Sequence, residues 1–403
     1  MNTDVGIVVA GHICLDIIPA LDAEGRPARE MIVPGRLVKV GAATIATGGA
    51  VANAGLALHR LGVPVRLMGK LGDDLLGRSV LDILTRHDAA LAADMIVAPG
   101  EGSSYTIVIN PPGIDRTFLH YPGVNDTYTA DDVPYDRLAG ASLFHFGYPP
   151  LMRRMYADGG TELACLLRRV RDCGVAVCLD MSMPDLEGEA GRADWTAILA
   201  KALPFVDVFA PSFDEILMML DRDRFDRLSA TAGGENLAAA ADASLLRGLA
   251  DRLLAMGAAI VALKLGDCGL YLRTSDDAGR FDAIGGGLAC DWDRWRGREL
   301  KVPCFAVDVA GTTGSGDATV AGLLAGLFYG QDPPAALRSA AGVGAASVER
   351  ADATSGVGAW DAIQQRIADG WGQRPHPTPD GWRWDEAERL WTGPRDGGQT
   401  PPP

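Results

Sequence analysis

Short apolar runs alternate with segments of helical period along most of this chain, and that alternation confines the fold more than any other feature. Residues 5–10 (VGIVVA) are rich in β-branched side chains and end at Gly11, the pattern of a strand buried on both faces of a parallel sheet. Residues 50–61 (AVANAGLALHRL) have helical character and stop at Gly62; 65–68 are strand-like and 75–86 helical again. Strand-like runs recur at 142–147, 175–180, 206–210 and 260–265, and helical stretches at 318–329 and 334–349. This order predicts βαβ units and an α/β fold: a doubly wound, mostly parallel sheet flanked by helices.

The pattern breaks over 94–125, where MIVAPG, SSYTIVIN and RTFLHY are strand-like and separated by PG and PPG turns. With segment 29–39 these runs predict a small β-sheet outside the main layer, a lid from about 17–45 and 94–125 that covers a cleft. Residues 283–300, with DWDRWRGREL, read as an exposed insertion. After residue 368 the composition turns to Pro, Gly, Trp and charge. The expected division is a domain over 1–368 and a partly disordered tail over 369–403, whose tryptophans could dock on the domain or on a partner.

Bulk properties remove several classes of function. With 48% hydrophobic and 22% charged residues, the chain has enough apolar surface to bury a core, so disorder is not expected overall. A net charge of -15 argues against a nucleic-acid partner, which calls for a basic face. It does not argue against a small anion held by backbone N–H groups. Seven cysteines, an odd number with no C-x-x-C pair, give neither a disulfide framework nor a zinc site and fit a reducing compartment. No basic leader precedes the first apolar run, and no run reaches the length of a membrane span, so a cytoplasmic protein without membrane contact is expected.

Chemistry is concentrated at residues 311–317, GTTGSGD, which lead directly into ATVAGLLAGLFYG. Gly314, Ser315 and Gly316 make a small turn at a helix N-terminus, where backbone N–H groups lack partners and the helix dipole is positive. Such a turn can hold a phosphate. Asp317 stands at its rim, where a carboxylate can take the proton of a hydroxyl that attacks a γ-phosphoryl group. Taken alone, a G-x-G-D run is more often a capped turn than a catalytic one.

GTTGSGDATVAGLLAGL resembles the C-terminal signature of the ribokinase-like (PfkB-type) carbohydrate kinases, usually written D-T-x-G-A-G-D. GGAVAN, at 48–53, resembles their N-terminal signature G-G-x-x-x-N, and KLGDDLLG, at 70–77, the family segment that follows. The resemblance spans about residues 5–360. It implies an ATP- and Mg2+-dependent kinase acting on a sugar or sugar-like small molecule, with Asp317 as base and the Gly314, Ser315 and Gly316 amides as anion hole. It implies that Asp16, Gly48, Gly49 and Asn53 bind substrate. LKLGDCG, at 263–269, resembles the nucleotide loop, which assigns Lys264, Gly266, Asp267 and Gly269 to the cofactor. Glu215 matches the acidic residue of the family's N-x-x-E and would support Mg2+ indirectly, with Ser212 in place of the Asn. The signature's leading Asp, which helps bind a monovalent cation in relatives, is Gly311 here, so that requirement stays open; Asp308 lies three residues earlier. A lid edge rich in strand-forming residues is also a surface through which two copies could pair.

Cys14 and Ala50 stand where ribokinases proper carry Asn and Lys, so ribose is not the favoured substrate; a hexose, a keto-deoxy sugar acid and a nucleoside are the other candidates. A nucleoside kinase of the same family and a catalytically degenerate sugar-binding regulatory protein are the alternatives. Asp180 ends a strand and would border the crevice of an open α/β sheet. His120 and His145 read first as core or turn residues.

Overall fold

The computed structural model describes residues 6–21, 34–35, 37–110, 117–232, 236–285, 287–375 and 378–397. A ten-stranded sheet organises the molecule. Its strands run, edge to edge, Arg383–Asp385, Leu390–Thr392, Glu299–Val302, Leu270–Thr274, Ile260–Lys264, Val208–Phe209, Ala176–Asp180, Leu143–Gly147, Ile7–Gly11 and Val65–Met68. The six strands from Ile260–Lys264 to Val65–Met68 are parallel, and the rest pair antiparallel.

Alternate side chains of each parallel strand enter different cores, which is why their sequences are continuously apolar. Ile7 and Val9 join one core with helices Ala50–Arg60, Ser315–Phe328 and Pro333–Ser347; Val8 and Ala10 join the other with Thr161–Asp172, Trp195–Ala202 and Ala243–Ala255. Small residues let Ser315–Phe328 and Pro333–Ser347 pack closely: a Cβ on Gly322 would stand 2.9 Å from Ala340 Cα. The chain leaves Ile7–Gly11 toward one edge through Val65–Met68 and returns on its other side through Leu143–Gly147. This reversal is the switch point at which open α/β sheets bind ligands. Gly11 and Gly147 meet there, and a Cβ on Gly11 would lie 2.4 Å from the Gly147 carbonyl oxygen.

A smaller, four-stranded sheet stands apart from the main one, in the order Ala43–Gly48, Cys14–Pro19, Tyr105–Ile109, Thr117–Tyr121. One expectation for this sheet needs correction, and another falls largely outside the described residues. Ile96–Ala98 pairs parallel with Lys70–Gly72 in a separate two-stranded sheet. Of segment 29–39, residues 29–33 and 36 lie outside the described residues, and 37–39 carry no strand. A short apolar run states that it can be a strand but not which edge it will join.

The expected insertion at 283–300 is exposed at residues such as Asp291, Asp293 and Arg294 but is corrected at its end. Trp295 is fully buried, and Glu299–Val302 is an internal, wholly buried strand of the main sheet. Its charge misled the reading: buried Glu299 accepts hydrogen bonds from Arg247 Nε (2.7 Å), Tyr271 OH (3.1 Å) and the Arg395 amide (2.9 Å). The tail docks on the domain, one of the two alternatives its tryptophans offered. Its two strands extend the main sheet, and Trp371 stacks on Phe305 with ring centroids 4.7 Å apart, so the described part through 397 packs on the domain. Residues 398–403 lie outside the described residues. No helix among the described residues is long and apolar enough to cross a membrane.

Candidate active site

The motif turn forms as its residues require. Gly314 caps the Ser315–Phe328 helix at φ +69°, a left-handed conformation open to glycine at no steric cost, and a Cβ there would stand 2.6 Å from Ala353 Cβ. The first helical bond runs from the Ala318 amide to the Gly314 carbonyl at 2.8 Å. The Gly316 and Asp317 amides therefore precede the ladder and can point at a ligand. The Ser315 amide turns back toward the Thr312 carbonyl at 3.3 Å, a long contact that an anion would have to replace.

Asp317 is 2% exposed. Its Oδ2 accepts hydrogen bonds from Tyr148 OH (2.7 Å) and Asn53 Nδ2 (3.0 Å), while Oδ1 is buried with no hydrogen-bond partner. Burial raises its pKa; the Lys264 charge and the two donors oppose that rise. Asn53, expected at the substrate, thus holds the candidate base, and its own Oδ1 is buried without a partner. Sequence reasoning missed Tyr148. It follows Leu143–Gly147, precedes Pro149-Pro150 and adopts φ +68°, with its amide bonded to the Asp180 carbonyl at 3.2 Å.

Beside Asp317, Lys264 Nζ meets both oxygens of Asp180, at 2.6 and 2.8 Å. Asp180 is fully buried and ends the strand Ala176–Asp180, where it holds Lys264 instead of facing open space itself. Burial and the charges of Glu215 and Asp317 push its carboxyl up, while Lys264 pulls the other way; the carboxylates around it hold Lys264 charged. Glu215 closes a capping box with Ser212: Oε2 accepts the Ser212 amide at 2.7 Å, and Ser212 Oγ accepts the Glu215 amide at 3.3 Å. Serine is a strong N-cap, so the departure from Asn preserves the helix start that presents Glu215.

A cleft of about 900 Å³ opens in front of Asp16, Tyr148, Glu215 and Gly314. Asp16 is nearly buried, and Cys14 Sγ donates to its Oδ1 at 3.3 Å. Gly48 permits the carboxylate: a Cβ there would lie 2.3 Å from Oδ2. Gly49 has φ +85°, and its Cβ would stand 2.5 Å from His12 Nδ1. The same cleft contains a chain of polar contacts from His12 Nε2 to His120 Nε2 (3.4 Å) and from His120 Nδ1 to Thr106 Oγ1 (3.0 Å). Burial holds both imidazoles below the usual histidine range. His120 therefore faces the cleft, contrary to its first reading. His145 is in the core as expected, pushed by burial to about 3.

A second cavity, about 240 Å³, lies on the other side of the glycine turn. Lys264, Gly266, Asp267, Gly269, Ser315 and Gly316 line it, with Val307, Val309, Ala345 and Val348 as an apolar wall. Gly269 must be glycine: at φ +98° its Cβ would overlap the Val302 carbonyl, 1.9 Å away. Gly311 offers little room for the family's aspartate, since its Cβ would meet the Ala351 backbone at 2.9 Å; Asp308 is exposed.

A sequence model described as pfkB family carbohydrate kinase matches residues 6–359. A protein of Archaeoglobus fulgidus named as an uncharacterized sugar kinase is 27% identical over 303 residues, spanning 75% of this chain and 98% of its own. The crystal structure of fructokinase from Xylella fastidiosa with bound ATP superposes with a TM-score of 0.63 at 19% identity, over 90% of this chain and 98% of that one. A putative ribokinase II from E. coli, in complex with ATP and Mg2+, gives a TM-score of 0.63 at 19% identity, over 91% and 99%. At such identities the two structures speak for the fold, which is ribokinase-like. The family match runs through both clefts and the turn between them, and by it the chain belongs to the pfkB family of carbohydrate kinases.

Proposed function

We propose that this protein transfers the γ-phosphoryl group of ATP to a hydroxyl of a neutral sugar or related polyol, with Asp317 as general base. The observation that carries this reading is the Asp317 carboxylate, clamped at Oδ2 and unpartnered at buried Oδ1, beside a glycine turn that separates two clefts. A buried polar atom without a partner is costly and calls for a ligand. A sugar hydroxyl placed at Oδ1 would give its proton to the carboxylate as its oxygen bonds to the γ-phosphorus and the bond to ADP breaks.

ATP suits the smaller cavity. The amides at Gly316 and Asp317 and the Lys264 ammonium supply an anion site at one end, and the valine wall suits a base. No group of three His, Cys, Asp or Glu able to hold a metal occurs among the described residues. Magnesium at phosphate sites needs only one or two carboxylates besides water and phosphate oxygens, a role that Glu215 would fill. Bound with ATP, the metal would neutralise charge on its phosphates.

Asp16, tied down by Cys14 and backed by Gly48, would accept from sugar hydroxyls. The described lining of the larger cleft includes five carboxylates, Asp16, Asp126, Asp185, Glu189 and Glu215, and no Lys or Arg. That balance favours a neutral substrate over a sugar acid. ADP release with Mg-ATP, measured across neutral sugars, sugar acids and nucleosides, tests the proposal. Turnover on neutral sugars is expected. A preference for nucleosides would make the protein a nucleoside kinase, and a preference for acids would overturn the charge argument. ATP binding with no turnover on any class would point to a regulatory protein.

A further inference from the structure

We infer that the chain beyond the family segment forms part of the nucleotide cavity and that Arg374 is a nucleotide-binding residue. This rests on the reading of the smaller cavity as the ATP site. The family match ends at residue 359, and after the helix Trp360–Ala368 the chain turns back onto that cavity. Trp371 stacks on Phe305 and donates from Nε1 to the Ala306 carbonyl at 3.1 Å. Gln373 bridges to Phe305, and the Arg374 amide donates to the Cys304 carbonyl at 2.8 Å. Cys304, Phe305 and Arg374 all line the cavity.

The returning segment is anchored downstream as well. Arg389 donates to the Trp371 carbonyl at 2.8 Å. Leu390–Thr392 pairs with Glu299–Val302, and Asp396 forms an ion pair with Arg298 at 2.8 Å. Arg374 is therefore presented by backbone held on both sides.

Charge decides what it could do there. The chain is strongly acidic, and a nucleoside triphosphate is a polyanion. Among the described residues lining the cavity, the cations are Lys264 and Arg374. Lys264 stands beside Gly316 and is held by both oxygens of Asp180. Arg374 stands beside the 266–269 loop, where its guanidinium donates once to Asp267 Oδ2 at 3.2 Å; Asn236 holds the other oxygen at 2.6 Å. The Arg374 side chain remains 50% exposed. A guanidinium has five N–H donors in a planar fork, so one bond to Asp267 leaves others for ribose or phosphate oxygens.

The test is calorimetric binding of Mg-ATP to the full-length chain and to Arg374→Ala. The expected result is a dissociation constant raised about tenfold, with an unchanged melting temperature in the absence of nucleotide. Arg374→Ala also exposes Asp267, so the Arg374→Ala/Asp267→Asn double variant is measured beside it. A double variant that binds Mg-ATP about tenfold more weakly than Asp267→Asn alone supports direct contact. Recovery to the wild-type constant, or a constant unchanged in Arg374→Ala, overturns the proposal. Gly316→Val serves as the reference for the site itself: if it leaves Mg-ATP binding intact, the reading of the cavity fails rather than the role of Arg374.

Discussion

Tyr148 donates a 2.7 Å hydrogen bond to Asp317 Oδ2 from a left-handed backbone position, across 169 residues of sequence. Burial raises the Asp317 carboxyl above the ordinary aspartate range, and this donor is one of the groups that restrain the rise. A general base works only when deprotonated, so turnover falls as pH drops through that raised value. In Tyr148→Phe the charged carboxylate loses a donor while burial persists. The acid limb of the kcat profile then moves to higher pH, with a smaller loss at alkaline pH. A profile of kcat against pH for both proteins checks this; a limb that stays in place separates Tyr148 from the base.

Replacing the proposed base has a larger consequence. Asp317→Asn keeps the shape and the contacts to the helix but cannot take a proton. The expected loss in kcat is roughly a thousandfold, within the range for general base catalysis. Mg-ATP affinity should stay within a few-fold, since the amides that would meet phosphate are unchanged. Turnover close to wild type would remove Asp317 from the chemistry.

The parts of the site that could be read from sequence are those whose chemistry is local. Gly314, Ser315, Gly316 and Asp317 are consecutive, and a left-handed glycine at a helix start is written in the residue types. Tyr148, Asp180 and Lys264 end or follow different strands and meet because parallel strands deliver their C-terminal ends to one crevice. No short spacing encodes that meeting. Asp180 was legible only as a strand-end position, and Tyr148 left a faint signal, a bulky residue before Pro149-Pro150. The strand Glu299–Val302 was hidden because its charge is neutralised by Arg247, more than fifty residues earlier. The tail was hidden because its strands are three residues long and acquire their pairing from the sheet edge they join.

Gly48 and Asp16 make a sharper test of substrate binding than removal of the carboxylate. A methyl group at 48 would stand 2.3 Å from Asp16 Oδ2 and 2.6 Å from Cγ, so the carboxylate must swing away while its charge remains. Misplacement of a binding group by about an ångström can cost roughly a hundredfold. Gly48→Ala should therefore raise the KM for sugar by about ten- to a hundredfold and leave Mg-ATP affinity unchanged. Steady-state kinetics with each substrate varied in turn decides it. An unchanged sugar KM would mean that Asp16 does not touch the substrate.

The Lys264–Asp180 pair joins stability to function in a way that a double variant can separate. Both side chains are nearly or fully buried, at 11% and 0% exposure, and removing one partner leaves the other charge without compensation. Breaking such a pair typically costs about 3–5 kcal/mol. Lys264→Met should lose stability on that scale in chemical denaturation, through the stranded Asp180 carboxylate. Adding Asp180→Leu removes the stranded charge, and most of the lost stability should return. Activity should not return with it, because the ammonium beside Gly316 is still missing from the proposed phosphate end of the cavity. A double variant that regains both folding and turnover would confine Lys264 to a structural role and leave the phosphate site to the backbone amides alone.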